Sequence, residues 1–576
     1  MGKLKQTKLQ IYLSGLFNPI LIVFKSISRK HFSVLIFLII PIIFLLNASV
    51  FHYYLGAFFL SSVDPEYFYL YNGILIGGGN LSVQFIATPG IPLEFLIAIS
   101  SRVINLFQPG DYAKDFIDDP EKYIHAANLF MNVLIAIVLV ICGIYTKKYS
   151  GSHFAGLLLQ LSPFGNASLL GVSGRLMPEA IMMIPLLLTG LMIIKTIYHE
   201  DRTAGHFTDI VLYGLIIGFG IACKLTFIPV ILIPLVLLHT SLRQKIKLIL
   251  YTILFFAIFA YPVVFNFHKF WQWVSGLLIH SGKYGAGAKD FINFSTIPEN
   301  FKYLFNYDKM FFFIAIFSLL LSVVFSSKVF KNEGFTNSKI IRAIFAVNLS
   351  ILISIAFTLK HFEHYYFMPF YLFKYLIVLL SILLIIQYQK ISGSKRYKII
   401  TLISFSIFIL YVTYGQVLQV RSSITSYSQR NEILQEEYKK IVSLVETDKP
   451  VIMTCPYYGA PFIEFAHFNG FIMTYHLKFG FQSYLKEKFP ESYQYVTWSD
   501  KFYFWDDFVD FKDILDKTKS SFYIYIGKDK GKDLAVIENR IWQVLDRDSV
   551  TRKVLYHNTK TEEQLIEIIL NPETFE

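Results

Sequence analysis

The chain has 576 residues, 54% of them hydrophobic and 17% aromatic, with only 16% charged, against roughly 25% charged in soluble proteins. A mean hydropathy of +0.49 excludes a disordered chain, a collagen-like one and an ordinary soluble enzyme, and leaves a polytopic α-helical membrane protein. The net charge of +12 fits basic inner loops of such a protein, so no nucleic acid partner is implied.

In chain order, residues 1–31 carry Lys3, Lys5, Lys8, Lys25, Arg29 and Lys30 and no carboxylate. Within them IYLSGLFNPILIVF at 11–24 is too short to span and reads as an interfacial helix. The first apolar run, 32–50, is a retained anchor rather than a signal-peptide core. Further runs lie at 125–146, 152–170, 178–194, 209–222, 226–239, 247–265, 310–327, 340–358, 366–387 and 398–419. Each approaches the ~20 residues that cross a bilayer, so the chain predicts about eleven spans, with Lys224 dividing two short ones. If the N-terminus is cytoplasmic, every loop on that side is short and basic: Lys147 and Lys148; Lys195 and Arg202; Arg243, Lys245 and Lys247; Lys328, Lys331, Lys339 and Arg342; Lys390, Lys395, Arg396 and Lys398. The opposite side receives 51–124, with eight carboxylates against Arg102, Lys114 and Lys122. This alternation orients the chain. Residues 91–107 carry Glu94 and Arg102, and are expected as a helix on the outer surface.

The organisation expected is therefore a cytoplasmic segment at 1–31, a transmembrane domain at 32–420 with outer loops at 51–124 and 266–308, and an extracytoplasmic α/β domain at 421–576. That last region has strand-like runs at Val451–Thr454 and Phe522–Ile526 and helical patterns at 431–446, 533–546 and 561–570. Its GKDKGK at 527–532 lacks the spacing of a phosphate-binding loop and reads as a solvated turn. Cys142, Cys223 and Cys455 are too few for a disulfide framework.

Five outer segments carry candidate chemistry. In SSVDPEYFYLYNG, Asp64 and Glu66 stand where the first span leaves the membrane, suited to proton abstraction or to a divalent cation. The same residues equally make a helix start, with Asp64 as cap and Pro65 first in the helix. In GVSGRLMPEA, Arg175 is a nearly isolated charge, paired either with an anion or with Glu179 at i,i+4. Lys224 is a second lone cation, facing an anion or snorkelling. In HKFWQWVSGLLIHSGKYGAGAKDF, Trp273, His280, Lys283 and Tyr284 are aromatic-belt residues or contacts to an anionic or sugar ligand. In KHFEHYYFMPF, His361 and His364 share a helical face beside Tyr365, too few ligands for zinc.

These segments resemble the membrane-embedded GT-C glycosyltransferases, notably the group similar to protein mannosyltransferases and the lipid A aminoarabinose transferase. The resemblance rests on Asp64-Pro65-Glu66 with Tyr67, on Tyr71-Asn72-Gly73, TPGIPLEF at 88–95, GRLMPEA at 174–180 and HYYFMPF at 364–370, and covers roughly 30–390. Thr88 stands where a histidine is common in such relatives. It implies eleven to thirteen spans and a polyprenyl-phosphate sugar donor used outside the cytoplasm, with a glycan, lipid or protein hydroxyl as acceptor and membrane lipids around the fold. On this resemblance Asp64 is the base with Glu66 in support, either by position or through Mg or Mn if a divalent cation is used. Arg175, Lys224, Lys283 and His364 would meet the donor phosphate. Tyr67, Tyr71, Trp273, His280, Tyr284, His361 and Tyr365 would contact substrate. A bacterial inner membrane is the expected location. Two further readings use the same layout: a polysaccharide ligase or polymerase with a polyprenyl-diphosphate donor, and a lipid-linked sugar flippase.

Overall fold

The computed structural model describes residues 29–571 apart from 62–63, 84–88, 108–109, 199–206, 239, 283–286, 290–292, 330–338, 393–394, 455–458, 475–480, 498 and 529. The 11–24 segment, Thr88, Lys283, Tyr284 and Cys455 lie outside the described residues.

Among the described residues, seven helices are long and apolar enough to cross a membrane: Leu35–Leu55, Pro120–Ser150, Pro178–Tyr198, Lys309–Ser326, Lys339–Lys360, His364–Gln387 and Ile403–Val442. An eighth arises if Ile91–Phe107 and Tyr112–Asp118, bent by 102°, form one crossing. The expected count of eleven is not reached, and the reason is local. The run at 152–170 breaks into His153–Gln160, a 3-10 turn at Ser162–Gly165 and Ala167–Ser173, because Pro163 lacks an amide proton and Asn166 caps the next helix through Ser168 N. The runs flanking Lys224 form the shorter helices Phe207–Cys223 and Leu225–Leu237, the first ending where Lys224 turns extended (φ −162°, ψ 137°). The run at 247–265 divides at Ala260, before Pro262.

The final apolar helix belongs to one continuous helix, Lys395–Val442, of 48 residues. It runs unbroken through Arg421, where the composition changes, and includes most of the 431–446 pattern. At 1.5 Å per residue it is about 72 Å long, more than twice a hydrocarbon core.

Beyond it lies a seven-stranded sheet: β1 Val451–Thr454, β2 Ser492–Val496, β3 Lys501–Phe504, β4 Asp507–Val509, β5 Ser521–Ile526, β6 Val550–Asn558 and β7 Glu563–Leu570. The order is β4-β3-β2-β1-β5-β7-β6. β1 pairs in parallel with β2 on one side and β5 on the other, and the remaining pairs are antiparallel. The 561–570 segment, expected as a helix, is strand β7. Its Glu, Gln and Leu favour a helix, but Ile566, Ile568 and Leu570 are buried between β5 and β6, and that packing overrides propensity. The 533–546 pattern is the helix Gly531–Ile541.

The sheet domain is fastened to the segment between the first two long apolar helices. His467, on the helix Ile463–Thr474, has no exposed surface; its Nε2 donates to Ile117 O at 3.1 Å. The neutral ring's Nδ1 is then an acceptor, and Tyr71 OH donates to it at 2.9 Å. Burial pushes the His467 pKa down to about 3, outweighing its hydrogen bond to Ile117. Gly470 meets the Tyr71 ring so closely that a Cβ would stand 2.4 Å from it, so only glycine fits.

Candidate active site at the membrane mouth

The helix Glu66–Gly77 starts immediately after a cis Asp64–Pro65 peptide, with Pro65 as its cap and no side-chain capping bond. Asp64 therefore stands one residue before the cap instead of filling that role. Glu66, fully buried, accepts from Arg175 at both oxygens: Nε to Oε1 at 2.6 Å and Nη2 to Oε2 at 2.9 Å. Arg175 Nη2 also donates to the backbone carbonyl of Asp64 at 3.2 Å. One guanidinium thus staples the turn that presents the Asp64 carboxyl. Burial works against its charge, but the Glu66 carboxylate outweighs burial and holds Arg175 protonated above its ordinary range. Glu66 is buried while Arg175 keeps 28% of its side chain exposed, so breaking this pair from one side costs less than the about 3–5 kcal/mol of a fully buried one.

A second clasp grips the other side of the turn. Glu121 accepts from Phe58 N at 3.0 Å, Phe59 N at 3.1 Å and Tyr67 OH at 3.0 Å, tying down both the approach to Asp64 and the first turn after it. Tyr67 and Tyr71, expected as substrate contacts, are both fully buried and give their hydroxyls to Glu121 and His467. Burial raises both phenols well above the usual value. The structure makes them fasteners of this helix.

Arg175 is itself positioned from behind. Asn128 and Asn132 each donate to Ser173 O at 2.9 Å, and His52 Nδ1 donates to Gly174 O at 2.7 Å. Three side chains from two helices thus hold two carbonyls directly before the arginine. Glu179, four residues on, does not pair with Arg175. It forms a buried ion pair with Lys224, whose ammonium also lies 4.1 Å from the Tyr366 ring centre and 5.3 Å from that of Tyr365. Lys224 occupies the helix break, bridged to Pro89, with Gly90 N donating to Cys223 O at 3.2 Å. Buried charges are costly unless paired. Here each of the two cations is paired with its own carboxylate, Arg175 with Glu66 and Lys224 with Glu179.

The structure thus brings Asp64, Glu66 and Arg175 together, and separately Glu179, Lys224 and Tyr365; the His364 ring lies edge-on or tilted against those of Tyr365, Tyr303 and Tyr307 at 5.6–5.9 Å. Among the described residues, no hydrogen bond or ion pair joins Trp273, His280 or His361 to either group. His361 meets Leu277 O at 2.9 Å and Gly282 O at 2.6 Å, and Lys360 meets Leu278 O at 2.9 Å. Both residues satisfy carbonyls at the carboxyl end of the helix Phe267–Ile279, where positive charge is favoured. His280 Nδ1 donates to Gly287 O at 3.2 Å.

Among the described residues, no three His, Cys, Asp or Glu side chains cluster as metal ligands. Glu66 gives both oxygens to Arg175, which leaves chiefly the Asp64 carboxyl for a hard cation that takes six or more oxygens. The donor set does not fit a resident divalent metal.

The residues missed from the sequence are Glu121, His52, Asn128, Asn132, Glu179 as the partner of Lys224, and His467. Two carried a signal: Asn128 and Asn132 lie at i,i+4 in an otherwise apolar run, and Glu121 ends a second Asp-Pro-Glu.

No protein-family model matches this sequence, and no curated protein matches it. Among solved structures the chain is similar to ArnT from Cupriavidus metallidurans bound to undecaprenyl phosphate, with 10% identity over 91% of this chain and 97% of that one and a TM-score of 0.44. It is likewise similar to the apo state of that protein, with 10% identity over 94% and 98% and a TM-score of 0.45.

Proposed function

We propose that this chain is a GT-C-type glycosyltransferase that moves a sugar from a polyprenyl-phosphate donor to a hydroxyl acceptor at the outer face of a bacterial inner membrane. The observation that carries the reading is the Asp64 turn. A carboxyl excluded from helix capping is held between the Arg175 and Glu121 clasps beside paired cations. The charge pattern supports the orientation. Lys147, Lys148, Lys195, Arg243, Lys245, Lys339 and Arg342 lie at one set of helix ends, and Asp64, Arg175, Lys224 and His364 lie at the other.

In this mechanism the acceptor hydroxyl attacks the anomeric carbon from the face opposite the phosphate. Asp64 takes its proton, the carbon–phosphate-oxygen bond breaks, and polyprenyl phosphate leaves as an anion with inversion at carbon. Arg175 and Lys224, each already beside a carboxylate, share their charge with the departing phosphate. Glu66 acts by positioning Arg175. General-base assistance is worth roughly 10²–10⁴-fold. The test is Asp64→Asn in a detergent-solubilised transfer assay with a polyprenyl-phosphate sugar: turnover falls by that factor while donor binding persists. Undiminished turnover removes Asp64 from this role.

A second reading, a lipid-linked sugar flippase, draws on the helix break at Lys224 and on Asp308 and Lys374, a buried pair at 2.5 Å such as transporters place between broken helices. Asn166 and the carbonyl of Gly165 complete that pair, so its groups are satisfied and structural. Consumption of donor in detergent, where no gradient exists, separates transfer from flipping.

A further inference from the structure

The outer domain carries a crevice of its own. Strands β1 and β5 are parallel neighbours, but the chain leaves β1 toward β2 on one side and β5 toward β6 on the other. In open α/β sheets the carboxyl ends of two such strands splay their loops apart, and ligands bind in the gap. Here Gly527 N donates to Thr454 Oγ1 at 3.1 Å, joining the two strand ends. A cleft of about 570 Å³ opens there, between Gly459 after β1, Lys528 after β5, the outer half of the Lys395–Val442 helix and Leu60–Ser61. That is the size of a small-molecule site.

Its position is fixed by a backbone contact. Ala460 N donates to Phe59 O at 2.8 Å. A Cβ on Gly459 would lie 2.1 Å from the Leu60 carbonyl carbon, so glycine alone allows this approach. The crevice is thereby locked onto the segment that reaches Asp64 three residues later.

Its lining is mostly apolar, through Leu60, Ile433 and Leu434, with a few polar and charged groups set among them. Lys528 donates to Glu437 at 2.9 Å and lies 3.8 Å from Glu563, and Glu437 also accepts from Asn558 at 2.8 Å. Arg430 donates to Ser61 O at 3.1 Å and pairs with no carboxylate among the described residues. Ser426 and Thr561 add hydroxyls. A fork of guanidinium donors without a carboxylate suits a phosphate or carboxylate group, and the hydroxyls with Glu437 suit sugar hydroxyls.

From this geometry we infer that the cleft binds an anionic saccharide, the head group of the acceptor, and that the turn holding Lys528 is part of a binding site. The inference rests on the transferase reading, which it supplies with an acceptor class.

The probe is glucose 6-phosphate, titrated calorimetrically into the full-length protein in detergent, with glucose and inorganic phosphate as separate arms. Glucose 6-phosphate is expected to bind saturably and at least tenfold more tightly than either arm. Arg430→Gln and Lys528→Gln should each weaken it about tenfold or more, and Asp64→Asn should leave it unchanged. In a Cys455→Ser background, glucose 6-phosphate should also slow maleimide labelling of Ser426→Cys, a readout that keeps both cations in place. Absence of saturable binding, equal affinity for inorganic phosphate alone, or unprotected labelling each overturns the proposal. If Asp64→Asn retains transfer while the cleft still binds, the catalytic reading falls and the site stands.

Discussion

The sequence Asp-Pro-Glu occurs twice at a helix start, at 64–66 and at 119–121, and the two copies do different things. At 119 the aspartate caps its helix, accepting from Lys122 N at 3.2 Å, and Pro120 opens the first turn. At 64 the proline is the cap, the aspartate stands outside it, and the glutamate is buried against Arg175. The second copy even serves the first, since Glu121 clamps the turn around Asp64. The same tripeptide thus caps a helix with its aspartate at one site and, where a distant arginine anchors the turn, leaves the cap to proline at the other.

Four experiments would break or sharpen this contrast. The largest effect is on turnover: Asp64→Asn should cost about 10²–10⁴-fold, whereas Asp119→Asn, which caps as well, should stay within a few fold in the same assay. Next is the pH dependence of the fastening that holds the Glu66 helix. The His467 pKa lies at about 3, below its unfolded value near 6.5, so the unfolded chain binds the extra proton between those limits. Stability is full above pH ~6.5 and falls toward pH 3, by up to roughly 4–5 kcal/mol. Thermal unfolding followed from pH 7 to pH 4 should show this slope, and His467→Gln should flatten it. Third, Glu66→Gln or Arg175→Met alone should destabilise by roughly 1–3 kcal/mol, as befits a pair buried on one side only. The double variant Glu66→Leu with Arg175→Met should recover part of that loss; equal losses in singles and double would deny the coupling. Smallest is Asp119→Ala, a lost cap worth about 1 kcal/mol in the same unfolding measurement.

The membrane class, most helices and the strands β1 and β5 were legible because apolar runs and β-branched clusters are local signals. The interruptions near Pro163 and at Lys224 were not, because a broken apolar run keeps its composition while tertiary contacts end the helix. Strand β7 was read as a helix for a related reason: Glu-Gln-Leu-Ile favours a helix until β5 and β6 supply hydrogen bonds on both edges. At the site, charge at a membrane edge is rare enough to expose Asp64, Glu66, Arg175 and Lys224 from sequence. Their pairing is not local. Glu66 and Arg175 are 109 residues apart, so helical spacing pointed to Glu179, which the fold gives to Lys224. Tyr71 drew attention by its place in an aromatic run, but its partner His467 is 396 residues away.

The unbroken Lys395–Val442 helix has a mechanical consequence. A rod of about 72 Å that begins among the spans and ends under the outer sheet acts as a lever. A tilt of only a few degrees at its lipid-embedded base sweeps the far end by several ångströms. Arg430 and Glu437 sit on that far end, so a change of tilt would carry both residues of the proposed cleft together relative to the Phe59–Ser61 segment that faces them.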